Sequence, residues 1–106
     1  MVNIIKLGEK VKDSNKLLWS LVDQNIRSAG SIGANVVEAK ASSSKRDYTH
    51  YFEIALKSAN ETIYWLMVLR ETADISLKSE IEVLYREAVE ISRILGASVL
   101  TLKDKR

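Results

Sequence analysis

The feature that most limits the fold of this chain is its scarcity of residues that interrupt helices. Its 106 residues include no proline and only four glycines, at positions 8, 30, 33 and 96. Proline breaks a helix interior and glycine weakens it, so long helices meet little resistance here. Apolar residues give way to capping serine or aspartate in only three stretches, residues 12–14, 40–44 and 73–76. The sequence therefore predicts an all-α protein.

Apolar residues recur every three or four positions through three long segments, which predicts amphipathic helices at about residues 14–39, 45–72 and 77–103. Ser44 and Asp47 have the spacing of a capping box at the start of the second of these. Residues 1–11 provide only a short first helix. Short connections make neighbouring helices antiparallel, so we expect one domain over residues 1–106, an up-down four-helix bundle with a shortened first helix.

Composition excludes several classes of protein. The chain has no cysteine, which rules out disulfide scaffolds, thiol nucleophiles and thiolate metal sites. No apolar run reaches the ~18 to 20 residues that span a bilayer, and the charged first residues do not resemble a signal peptide. A cytoplasmic protein is the expectation. The formal net charge of +2 neither requires nor forbids a nucleic-acid partner.

Nothing in the sequence predicts an enzyme, a metal site or a cofactor. His50 and Glu53 form a histidine and carboxylate pair at helical spacing, but a di-iron bundle needs further Glu and His ligands that a single histidine cannot supply. His50 is also the one candidate base for a serine nucleophile, and no strand-turn-helix elbow exposes such a serine. Gly30 and Gly33, inside a predicted helix, instead suggest the close approach of a neighbouring helix or subunit.

The short first helix leaves apolar surface on the other three helices without cover, and an identical chain is the simplest cover. Tyr64, Trp65 and Val68 are the predicted interface, because Tyr and Trp are enriched at the desolvated centres of interfaces. The alternative is a wide core face with ordinary scattered surface hydrophobes.

Two groups of charged residues have predicted roles. A structural network of Arg27, Asn35, Glu38 and Glu61 is expected between two antiparallel helices, with Arg27 paired to Glu61 and Glu38 paired to Arg46. Lys40, Lys45 and Arg46 cluster at the turn between those helices. They are either ordinary solvated charges or, multiplied in a ring of subunits, a phosphate-binding rim.

Two motifs resemble a known family. Residues 26–39 read IRSAGSIGANVVEA and residues 54–66 read IALKSANETIYWL, after Asp47 to Tyr51. Together they resemble the four-helix-bundle proteins encoded in intervening sequences of bacterial 23S ribosomal RNA genes. The resemblance covers about residues 17–103. It implies an antiparallel bundle that assembles into a ring, a homopentamer in known members.

The resemblance extends to a possible role. A similar fold serves as the accessory variability determinant of diversity-generating retroelements, which binds a reverse transcriptase and nucleic acid. The expectation is therefore a non-enzymatic homo-oligomer that binds RNA or DNA, or a reverse-transcriptase-like protein, through basic residues at the bundle ends. The alternative is a structural or adaptor oligomer that binds another protein through an apolar surface around Trp65.

Overall fold

The computed structural model describes residues 2–11 and 16–104, and its four helices have the predicted order. They are α1 (Val2–Val11), α2 (Lys16–Ala41), α3 (Lys45–Thr72) and α4 (Ile75–Asp104). The all-α four-helix fold is confirmed, and α3 has the predicted bounds. The predicted break at residues 12–14 and the predicted start of the second helix at residue 14 lie outside the described residues.

Two helix ends differ from the prediction by two residues. Helix α2 continues to Ala41, where the predicted helix ended at residue 39. Helix α4 begins at Ile75 instead of residue 77, directly after Asp74, and the Leu77 backbone N–H donates to the Asp74 carbonyl at 2.9 Å. The first turn of α4 therefore forms one half-turn earlier than the sequence pattern indicates.

Ser44 caps α3 as predicted. Its backbone is extended, with φ −130° and ψ 151°, and its hydroxyl accepts the Asp47 backbone N–H at 3.1 Å. The Asp47 carboxylate lies in the first turn, where the helix dipole favours negative charge. The helix start is therefore determined by residues adjacent in sequence.

Helix α3 packs along both α2 and α4, whereas α2 and α4 have no Cα atoms within 8 Å of each other in the described part of the chain. Helix α1 lies in the trough between α2 and α4 and contacts both. Its Gly8 allows this approach, because a Cβ there would come within 2.9 Å of the Trp19 ring and 3.2 Å of Val22. The molecule is elongated, 49 × 20 × 17 Å.

The core has two unequal halves. In the half that α1 covers, large aliphatic side chains are buried: Ile4, Leu7, Leu18, Val22, Leu66, Leu69, Ile81 and Leu84, together with Ala73 and Ala88. In the other half the buried apolar side chains are Ala39, Ala55, Ala59, Leu95 and Val99, while Phe52 and its neighbours are only partly buried. Large side chains are therefore buried mainly where α1 packs against α2 and α4. Among the described residues, no helix has the length and apolar character to cross a membrane.

Replacing Ser44 by alanine should lower the free energy of unfolding by about 1 kcal/mol, because the Asp47 N–H loses its side-chain acceptor. Thermal or urea unfolding followed by circular dichroism measures the change. Ser43→Ala, at the exposed neighbouring serine, is the control and should change stability by less than about 0.5 kcal/mol. Equal losses in both variants would show that the cap contributes nothing.

Candidate functional site

The turn between α2 and α3 brings the three predicted cations together in sequence and space. Helix α2 ends where the backbone N–H and the hydroxyl of Ser42 both donate to the Ala39 carbonyl, at 3.1 and 2.6 Å. Three residues later α3 begins at Lys45. Lys40 thus lies in the last turn of α2, and Lys45 and Arg46 occupy the first turn of α3. All three residues are exposed.

The electrostatics of this turn favour an anion. Helix α3 has 28 residues, and its N-terminus carries a partial positive charge from unpaired backbone N–H groups. Lys45 and Arg46 add two cations where the dipole disfavours them, against one carboxylate, Asp47. Within residues 2–11 and 16–104, neither Lys40 nor Arg46 forms an ion pair, whereas Arg70, for example, lies 3.4 Å from Glu82.

A surface pocket with a volume of about 620 Å³ lies beside the same turn. Its lining includes Lys45, Arg46 and His50, together with the hydroxyl-bearing Thr49 and the carboxylates of Asp47 and Glu53. His50 is exposed, and its ring lies 6.0 Å from that of Tyr51. No group of three or more His, Cys, Asp or Glu side chains in the described ranges could hold a metal ion.

The predicted ion pairs between α2 and α3 are not formed. Arg27 lies 3.1 Å from Asp23, one turn earlier in the same helix, and no ion pair in the described part of the chain joins it to Glu61. The Glu38–Arg46 pair is likewise absent among the described residues. A local partner at i, i+4 spacing requires no adjustment between helices, so it competes successfully with a residue on another helix.

Hydroxyl groups, not charges, join α2 to α3. Thr62 Oγ1 lies 2.9 Å from Ser28 Oγ, and Ser58 Oγ lies 2.8 Å from Ser31 Oγ. Asn35 belongs to the second group, because its Nδ2 donates to Ser31 Oγ at 3.1 Å and to the Ser31 carbonyl at 2.8 Å. The sequence analysis did not predict these hydroxyl pairs. Their signal in the sequence is serine or threonine at three- or four-residue spacing within residues 26–39 and 54–66.

Comparison with known proteins agrees with this architecture. The profile of the family described as 23S rRNA-intervening sequence protein matches residues 1–97. The chain belongs to this family. A crystal structure of a protein of unknown function from the S23 ribosomal protein family of Bacteroides thetaiotaomicron is similar to it, with 34% sequence identity and a TM-score of 0.80. The similarity covers 92% of this chain and 89% of that chain. No curated protein matches the sequence.

In this intervening-sequence protein, the predicted interface residues lie on a separate surface from the basic turn. Tyr64 is 54% exposed, and its ring meets that of Trp65 edge to face at 5.0 Å. Both line a groove of about 630 Å³ with Val99 and Lys103 of α4. Val68 is half-buried. The assignment of these residues to an oligomer interface stays a prediction.

The same protein buries a carboxamide that the sequence analysis did not single out. Asn25 of α2 has no exposed surface, and within the described residues neither its Nδ2 nor its Oδ1 has a hydrogen-bond partner. Its helical neighbours Val22 and Ala29 belong to the apolar stripe of α2 and pack in the half of the core that α1 covers. An unpaired buried amide of this kind costs about 1 to 3 kcal/mol.

Replacing Asn25 by leucine, which has the same number and branching of side-chain heavy atoms, should raise the free energy of unfolding by about 1 kcal/mol or more, because the desolvated amide is removed. Denaturant unfolding measures the change. Gln24→Leu makes a comparable amide-to-leucine change at the exposed adjacent residue and should stay within about 0.5 kcal/mol of the parent. A loss of stability in Asn25→Leu would contradict this prediction, because it would mean either that the carboxamide is hydrogen bonded in solution or that leucine overpacks the site.

Proposed function

We propose that this protein is a non-enzymatic, homo-oligomeric accessory protein that binds nucleic acid through the turn between α2 and α3. The observation that carries the proposal is the exposure of Lys40, Lys45 and Arg46 around the N-terminus of α3. Cations and unpaired backbone N–H groups are the two features that contact phosphate oxygens in protein–nucleic acid complexes. Structured RNA is the first candidate, given the family's link to intervening sequences in 23S rRNA.

The proposed homo-oligomer would multiply the phosphate contacts. Three cations per chain supply only a few phosphate contacts, but each added copy brings another set. The resemblance described above implies five copies in a ring, and an assembly of this kind would present the turns as one basic rim. Salt-dependent binding of limited sequence specificity follows from such a surface, because contacts to phosphates carry no direct sequence information.

The test is the binding of a fluorescently labelled RNA hairpin and a DNA hairpin of matching sequence, followed by anisotropy at two salt concentrations. If three phosphates are contacted, affinity should fall about 40-fold between 50 and 200 mM salt. The triple variant Lys40→Ala, Lys45→Ala, Arg46→Ala should bind more weakly and lose most of this salt dependence.

A second triple variant serves as the control for net charge. The variant Lys6→Ala, Lys57→Ala, Lys78→Ala also removes three positive charges, but from exposed positions away from the turn. It should retain most of the affinity and the salt slope. Equal losses in the two variants would show that binding follows net charge and not the turn, and absence of binding at 50 mM salt would refute the proposal.

A further inference from the structure

A groove between α3 and α4 presents aromatic side chains to solvent. It has a volume of about 630 Å³ and is lined by Leu56, Tyr64 and Trp65 of α3 and by Val99 of α4, together with polar residues. We call this surface the aromatic groove. Binding sites for small organic groups have volumes of roughly 300 to 1,000 Å³, so the groove has room for a flat ring.

Tyr64 gives the aromatic groove an accessible ring. Its side chain is 54% exposed, and it meets the Trp65 ring edge to face, which leaves at least one face of the Tyr64 ring uncovered by Trp65. In residues 2–11 and 16–104, the other exposed large hydrophobic side chains have no ring, apart from Trp19, which lies against Gly8 of α1. Tyr64 therefore offers an open ring face to a flat ligand.

The charged side chains of the aromatic groove balance one another. Lys57 and Lys103 line the groove together with Glu53 and Glu61, and Lys103 Nζ lies 3.4 Å from Glu53 Oε2. Such a surface has little net attraction for a phosphate, whereas an uncharged base needs none. The groove therefore favours the base of a nucleotide, and the basic turn favours its phosphate.

Polar groups beside the rings can meet the edge of a base. Asn60 lines the groove, and Ser92 Oγ donates to its Oδ1 at 2.7 Å, which leaves the Asn60 Nδ2 group as a donor. The carboxylate of the next residue, Glu61, is an acceptor on the same groove. Unpaired RNA bases are bound by groups of these kinds, since they stack on aromatic rings and form hydrogen bonds through their exposed edges.

The aromatic groove adjoins the pocket beside the basic turn. Glu53 lines both. Exposed or half-buried side chains follow one another along this side of α3 at intervals of three or four residues, namely Arg46, His50, Glu53, Lys57, Glu61 and Tyr64. Arg46 and Tyr64 are about 27 Å apart along the helix axis, at 1.5 Å per residue. A strand bound at the basic turn can therefore reach the groove along the protein surface.

We propose that the aromatic groove binds unpaired bases of the nucleic acid whose phosphates contact the basic turn, with Tyr64 and Trp65 stacking on these bases. This site rests on the proposed function and adds the class of ligand, which is a strand with unpaired bases and not a duplex alone. Tyr64 must stay accessible in the assembled protein, so the site replaces the predicted role of Tyr64, Trp65 and Val68 in an oligomer interface.

Two RNA hairpins with identical stems and loops test the proposal by anisotropy. One carries a 3′ extension of eight unpaired adenosines, within the roughly 4 to 16 nucleotides that single-strand sites cover, and the other carries eight abasic residues with the same phosphates. The adenosine extension should bind at least about 5-fold more tightly, the gain expected for one stacked base. Tyr64→Ala should remove this gain and leave the salt dependence unchanged, because no phosphate contact is lost.

Two variants control for the ring and for the helix. Tyr64→Phe keeps the ring and should bind both hairpins like the parent protein. Met67→Ala removes an exposed apolar side chain from α3 outside the groove, and it should also keep the gain. Thermal unfolding should show all three variants folded, because both positions are exposed.

The outcomes separate this site from the proposed function. Equal binding of the two extensions by the parent protein, or a gain that Tyr64→Ala retains, would overturn the groove site and leave the basic turn intact. A gain that persists at full affinity in the variant Lys40→Ala, Lys45→Ala, Arg46→Ala would keep the groove and refute the basic turn. Absence of binding to either hairpin at 50 mM salt would refute both.

Sedimentation velocity tests the accessibility of Tyr64. The parent protein and Tyr64→Ala should sediment as the same assembly, because the proposal places Tyr64 outside the contacts between subunits. A smaller assembly in Tyr64→Ala would show that Tyr64 lies between subunits and would overturn the groove site.

Discussion

The close packing of α3 against both α2 and α4 is the contact on which the rest of the structure depends. Ala55 and Ala59 are fully buried on α3, and Ser58 and Thr62 are almost so, which keeps this helix narrow where its neighbours approach. The hydroxyl pairs Ser58–Ser31 and Thr62–Ser28 satisfy polar groups that this approach desolvates. Because α2 and α4 have no Cα atoms within 8 Å of each other in the described residues, α3 holds them in place, with α1 between them over part of their length.

This arrangement makes the chain a three-helix layer with a trough that a fourth helix closes over part of its length. Where α1 lies, leucine and isoleucine are buried and the core resembles that of a complete bundle. Toward the other end, the buried apolar side chains are alanines of α2 and α3 together with Leu95 and Val99 of α4, and larger side chains such as Ile32 and Phe52 keep contact with solvent.

Ion pairs are distributed unevenly along the long axis of the molecule. Ion pairs concentrate toward the α3–α4 turn, where Arg70 contacts Glu82 and also lies 4.3 Å above the Tyr85 ring, and where Lys10 of α1 pairs with Glu80. At the opposite end, Lys40 and Arg46 have no ion pair within the described ranges, and the positive end of α3 is beside them. Lys103 of α4 lies 3.4 Å from Glu53 of α3, so part of the charge at this end is also paired.

The sequence by itself determined the number of helices, the bounds of α3, the ends of the other helices to within about two residues, and the cap at Ser44. These depend on apolar periodicity, helix propensity and side chains within four residues of each other, and all three are properties of short stretches. The basic turn was predictable for the same reason, because Lys40, Lys45 and Arg46 flank one short connection.

Only the tertiary structure decided which residues meet across helices. Arg27 has Asp23 and Glu61 as plausible partners in sequence, and the relative rotation of α2 and α3 leaves it with Asp23. Gly8 and Gly33 both lie inside helices, and the sequence does not distinguish their surroundings. A Cβ on Gly8 would lie 2.9 Å from the Trp19 ring, whereas a Cβ on Gly33 would meet nothing within 4 Å. The burial of Asn25 and the uncovered part of the trough are also visible only in the tertiary structure. Each depends on the rotation and spacing of helices far apart in the chain, and periodicity along one helix carries no information about either.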